Sequence, residues 1–194
     1  MTIAPPPSVE QLARALRSVG HLISGIQQEQ WSPPTPCTDW TVRELVAHLV
    51  GMNLVFAALL SDQASPERSP DRLEDDPAGA YLDSAAVLQA AFDQPGALER
   101  TYHGPLGAVT GVERLQIRLY DLLAHGWDLA QGTVQSAELP DDLAEQALAF
   151  VQDQLTTQPR TGRFGPPQPV ADDAPAIDRL VAFLGRPVNA GPPR

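Results

Sequence analysis

Twenty prolines in 194 residues set where regular structure can form, because a proline inside a helix removes a backbone donor and clashes with the preceding turn. They leave proline-free windows at 8–32, 37–65, 78–94, 106–139 and 141–158, with a shorter one at 176–186. Each window carries helical periodicity. In the first, Leu12, Leu16, Val19, Leu22, Ile23 and Ile26 recur at intervals of three and four. Thr41-Val42-Arg43-Glu44 and Thr110-Gly111-Val112-Glu113 read as capping boxes, in which hydroxyl and carboxylate satisfy free amides reciprocally. Asp76-Pro77 reads as an N-cap with proline at the first helical position, opening a helix through about Phe92. The helix behind Thr110 is apolar almost all round, which predicts the most buried helix, ending near Gly132. A fifth helix is expected from Pro140 to about Leu155 and a short sixth from Pro175 to Gly185. Thr101–Pro105 admits only a short extended excursion or hairpin, and Thr157–Asp173 reads as a meandering surface loop. The expectation is an all-α chain: one domain over residues 1–194, a four-helix bundle with an additional short C-terminal helix and proline-rich loops.

Thirteen Lys and Arg against 24 Asp and Glu give a net charge of -11, the wrong sign for holding phosphate backbones or anionic lipid by bulk electrostatics. Nucleic acid and membrane surfaces are therefore not expected partners. The longest apolar run, Leu45–Leu60, falls short of the roughly 20 residues of a spanning helix and contains His48 and Asn53, so it reads as a core helix. The N-terminus shows no basic stretch and no apolar signal core, and a single cysteine, Cys37, forms no internal disulfide. The cytoplasm is the expected compartment.

Two of the four histidines fall on faces otherwise reserved for apolar residues. His48 lies three residues after Leu45 and four before Met52, so helical geometry points it into the bundle. Asp121 and His125, four apart on the later helix, share a face. Two imidazoles and a carboxylate form a normal ligand set for zinc, nickel or iron(II), and three protein ligands leave a position open for water or substrate. Two other readings stay open: a hydrogen-bonded core histidine at 48, and an ion pair between Asp121 and Arg43, Arg114 or Arg118. Asp128 is either an acceptor holding an imidazole or a plain charge near the helix end. Arg114 and Arg118 are expected as solvated or salt-bridged surface residues, with a bidentate grip on a substrate carboxylate as the alternative. Cys37 is expected as a small buried loop residue with no activating neighbour, and His21 and His103 have no partner at ligand spacing.

The segment Pro36–Leu49, PCTDWTVRELVAHL, together with Tyr120–Ala130, YDLLAHGWDLA, resembles the mycothiol-dependent maleylpyruvate isomerase branch of the DinB-like bundle superfamily. The stretches Phe164–Pro167, Ala174–Leu180 and Gly185–Pro187 resemble an actinobacterial subgroup of it, so the resemblance spans nearly the whole chain. It implies a four-helix core holding a divalent metal, zinc foremost, with His48 and His125 matching family ligands. Asp121 stands where His or Glu is common, one methylene shorter than Glu, so it binds directly or through water. The resemblance further implies mycothiol as thiol cofactor, with the metal lowering the thiol pKa and the thiolate attacking a small electrophilic metabolite, to give an S-conjugate or an isomer. The partners expected are thus a small-molecule thiol and an electrophilic substrate, in a monomer or homodimer. The alternative is a non-catalytic metal-binding bundle with a structural or interaction role, which a closed fourth ligand would favour.

Overall fold

A computed structural model describes residues 7–37, 40–64, 66, 73, 75–104, 107–160 and 164–188. Six α-helices account for most of it: α1 (Val9–Ser24), α2 (Val42–Leu60), α3 (Pro77–Phe92), α4 (Gly111–Thr133), α5 (Asp141–Thr157) and α6 (Ala176–Phe183). The starts are those that local chemistry dictates. Thr41 Oγ1 accepts from the Glu44 amide at 3.3 Å while Glu44 Oε2 accepts from the Thr41 amide at 2.8 Å, and Thr110 and Glu113 repeat the box with the same distances. Asp76 caps α3 through the Gly79 amide, with Pro77 at the first helical position. Ser8 and Gln11 close a further box at the start of α1.

α1 packs on α3 and α4, and α2 packs on the same two, so the bundle runs in the order α1, α3, α2, α4 around its axis. α5 and α6 pack on each other and on the outer side of α4. α4 is thus covered by four other helices, and every residue from Leu122 to Ala130 is buried. Trp127 donates its indole N–H to Asp178 at 3.0 Å, pinning α4 to α6. α2 is long and apolar enough to cross a membrane by length and composition, but here Leu45, Leu49 and Phe56 are buried in the bundle.

Between α3 and α4 lies a two-stranded antiparallel hairpin, β1 (Thr101–Gly104) with β2 (Gly107–Thr110), the short excursion that the sequence admits. The ends of α4, α5 and α6 fall within about two residues of expectation. α4 runs past Gly132 to Thr133 and is capped by Val134 in the left-handed region at φ 55°. Gly132 is instead a packing glycine: a Cβ there would sit 3.2 Å from both the Thr35 and the Val42 side chains, so its small size lets the loop before α2 lie against α4.

Candidate active site

Because α2 and α4 are neighbours, the helical faces carrying His48 and the Asp121/His125 pair meet. They form one wall of a cavity of about 710 Å³. The other wall is irregular chain: Pro36, Cys37 and Trp40 before α2, Phe164 and Gly165 after α5, and Leu184–Arg186 after α6. The stretch read as a surface loop thus supplies part of a pocket. Gly185 has φ +99°, and a Cβ on it would fall 2.7 Å from the Gly165 Cα. The two loops can cross over the cavity because residue 185 is glycine, whereas a Cβ on Gly165 would make only ordinary contact at 3.5 Å.

Asp121 Oδ1 lies 3.5 Å from His125 Nε2 and 3.9 Å from His48 Nε2. Two bonds of about 2 Å at a tetrahedral angle place donor atoms roughly 3.3 Å apart, so these separations suit a shared cation better than a direct hydrogen bond. All three donor atoms lie within 4.8 Å of one another. The His48 Nε2 is buried and has no hydrogen-bond partner, an expense a folded protein normally avoids. Trp40 packs against both imidazoles, with ring centroids 4.5 Å from His48 and 5.9 Å from His125.

Each of the α4 groups is held from behind. Arg118 is fully buried and binds Asp121 Oδ2 through Nη1, leaving Oδ1 turned to the histidines. Its remaining donors go to Asn53 Oδ1, at 3.1 Å from Nε and 2.7 Å from Nη2, and to the Leu49 carbonyl at 3.1 Å. Asn53 in turn donates to Ser84 at 3.0 Å, so the clamp reaches from α4 through α2 to α3. His125 Nδ1 lies 3.0 Å from Asp128 Oδ2, and Arg186 Nη2 donates to that carboxylate at 2.8 Å. The carboxylate on Nδ1 holds the ring with Nε2 facing Asp121 and His48.

The electrostatics follow from these contacts. Burial is the main influence on His48 and pushes its pKa down, which favours the neutral imidazole that ligates metals. Burial also opposes charge on His125, but Asp121 and Asp128 overcome it and raise that imidazole well above its usual range. Burial works against the Asp121 carboxylate too, and His125 and Arg118 still hold it well below the usual carboxylate range. Asp128 is depressed against burial by His125 and Arg186.

Two expectations are corrected. Arg114 and Arg118 are not surface residues, being 2% and 0% exposed, because a helix packed on all sides leaves its arginines no surface to occupy. The Arg118–Asp121 ion pair exists, but it occupies only one oxygen of the carboxylate and does not displace the meeting with the histidines. Cys37 does have chemical neighbours. Its sulfur, His125 and Asp128 form a second cluster of donor atoms within 4.8 Å, sharing His125 with the first. Arg186 and Trp40 also reach the site, although nothing in local spacing joins them to α4. His21 and His103 are exposed and lie off the cavity, as their isolation in sequence implies.

The family model for the mycothiol maleylpyruvate isomerase N-terminal domain matches residues 12–130, from α1 to the last turns of α4. The chain belongs to that family. It is similar to the uncharacterized protein Rv0738 of Mycobacterium tuberculosis, 35% identical over 182 residues that cover 91% of this chain and 96% of that protein. A more distant relative in that organism, the uncharacterized protein Rv0036c, is 23% identical over 147 residues, 65% of this chain and 56% of its own. Among solved structures, the crystal structure of the mycothiol-dependent maleylpyruvate isomerase superposes with a TM-score of 0.59 at 20% identity, over 77% of this chain and 71% of that one. A histidine-to-alanine mutant of that enzyme gives 0.60 at 18% identity over the same shares. The fold is accordingly the DinB-like helical bundle of that enzyme.

Proposed function

We propose that His48 Nε2, Asp121 Oδ1 and His125 Nε2 hold a divalent metal ion, zinc foremost, and that the protein is a mycothiol-dependent transferase or isomerase acting on a small electrophilic metabolite. Membership of the mycothiol maleylpyruvate isomerase family supports the mycothiol-related role. The observation that carries the site is the convergence of the three donor atoms around a buried His48 Nε2 with no hydrogen-bond partner. A divalent ion bound there supplies Lewis acidity, lowering the pKa of a thiol that shares its shell so that a sulfur nucleophile is present at neutral pH.

The remaining work falls to this chain. Arg118 holds Asp121 in the orientation that presents Oδ1, and Asp128, itself anchored by Arg186, holds the His125 ring. Trp40 restrains both imidazoles from the side. Met52, Val55, Phe56, Leu59 and Ile117 give the cavity an apolar lining that keeps water away from a reactive sulfur and strengthens the polar contacts inside it. The two-histidine, one-carboxylate set leaves room in a cavity this size for an outside thiol and a second small molecule.

The test is a titration of mycothiol into cobalt-substituted protein. A cobalt–thiolate bond gives an intense near-ultraviolet charge-transfer band. That band is expected in the wild type and in Cys37→Ser, and is expected to be missing in His48→Ala. A wild type that binds cobalt and shows no band at millimolar mycothiol overturns the thiol-transfer reading. The second reading, a structural metal staple, is favoured by one observation, the proximity of Cys37 to His125 and Asp128. It predicts a sulfur band that is present without mycothiol and lost in Cys37→Ser.

A further inference from the structure

Among the described residues, three arginines stand at the cavity or directly behind it, and the carboxylates paired there account for only two of them. Arg118 is matched by Asp121 and Arg186 by Asp128. Arg114 lines the cavity, is 2% exposed, and has no hydrogen-bond partner on Nε or Nη2. The adjacent acid, Glu113, is engaged in the Thr110 capping box. Leaving a buried guanidinium without an anion is costly. The two unpartnered atoms also form one edge of the guanidinium, whose parallel N–H bonds match the two oxygens of a carboxylate.

Arg114 precedes Asp121 by seven residues on α4, two turns along the same face, a rise of roughly 10 Å. Ile117, about one turn from each on α4, lines the same cavity, as does Met52 from α2. In a chain of net charge -11, this pocket therefore has a surplus of positive charge, and a divalent ion would add to it.

We infer that Arg114 is a second subsite that binds a carboxylate, and that the electrophile this protein accepts is a small monocarboxylic acid, its charged end on Arg114 and its short carbon chain reaching toward His48, Asp121 and His125. That this acid is an electrophile for a thiol rests on the thiol-transfer reading, whereas recognition of the anion by Arg114 does not. Nε and Nη2 are themselves buried, so a carboxylate reaches that edge only once the guanidinium turns about its last torsions. The apolar lining between the two ends selects a short hydrocarbon linker.

The experiment measures equilibrium binding of crotonate and crotonamide, which share a skeleton and differ in charge, to zinc-loaded protein without thiol. Wild type is expected to bind the acid at least tenfold more tightly than the amide. Arg114→Gln should erase that preference while leaving the amide affinity unchanged, and Arg114→Lys, which keeps the charge and loses the fork, should retain part of it. The preference should survive in His48→Ala, measured without metal. Equal binding of acid and amide by wild type overturns the inference, as does an equal loss for both ligands in Arg114→Gln. A preference that disappears in His48→Ala and persists in Arg114→Gln would make the metal the anion site and would also overturn it. Failure of the cobalt band with the acid preference intact removes the thiol chemistry and leaves the subsite standing.

Discussion

Arg114 and Arg118 stand one turn apart on α4 and are buried almost equally, yet their surroundings are opposite. Around Arg118 the guanidinium meets Asp121, Asn53 and the Leu49 carbonyl, so that charge, amide and backbone are all satisfied within the fold. Around Arg114 the described residues provide apolar walls and no hydrogen-bonded anion. The difference separates two uses of a buried charge. A fully partnered arginine is part of what holds the bundle in one arrangement, whereas an unpartnered one facing a cavity is a cost borne for something that enters from outside.

The largest effect should come from breaking the partnered half. Arg118→Met leaves Asp121 without its ion partner and strands the Asn53 amide oxygen, and removing one member of a buried pair typically costs about 3–5 kcal/mol. Urea unfolding should show a loss of that order, and the same variant should bind metal poorly because Asp121 is no longer oriented. A loss under 1 kcal/mol would mean that the Arg118 network is incidental.

Next in size is the metal itself. Occupancy of the native state alone stabilises by about 2.7 kcal/mol at a hundredfold excess over Kd, so chelator should lower the melting temperature and zinc should restore it. Elemental analysis should find no stoichiometric metal in His48→Ala or His125→Ala, and strongly reduced metal in Asp121→Asn. Asp128→Asn should weaken affinity by roughly 10–100-fold, the usual consequence of disturbing a group that orients a ligand. If Asp128→Asn costs more than Asp121→Asn, the carboxylates have exchanged roles, and the cluster containing Cys37 is the true metal site.

These residues were readable from sequence to different depths, and the reason is the range over which each is positioned. The helix starts at Thr41, Asp76 and Thr110 are set by neighbours three residues away, so composition and spacing suffice. His48, Asp121 and His125 follow from helical periodicity plus a single assumption, that α2 and α4 touch. Cys37, Trp40 and Arg186 reach the site on irregular chain, where no period predicts direction. The arginines could have been read better. A helix apolar on every face has no solvent side, so Arg114 and Arg118 had to be buried, and the expectation of surface arginines conflicted with the expectation that α4 is the most buried helix.

The smallest effect belongs to the unpartnered half and is the most discriminating, because its expected sign is opposite to that of the usual core substitution. Arg114→Met keeps most of the aliphatic stem and removes a charge that no hydrogen-bonded acid among the described residues neutralises. Replacing a poorly compensated buried charge by an apolar group of similar shape is often neutral or stabilising. Urea unfolding of Arg114→Met should therefore give a change between about zero and a gain of roughly 1 kcal/mol, small beside the loss in Arg118→Met. Crotonate should raise the melting temperature of the wild type and leave that of Arg114→Met unmoved, since the anion stabilises only a protein that can bind it. A loss above roughly 1 kcal/mol in Arg114→Met would show that the fold depends on this arginine as it does on Arg118, and the contrast between the two turns of α4 would collapse.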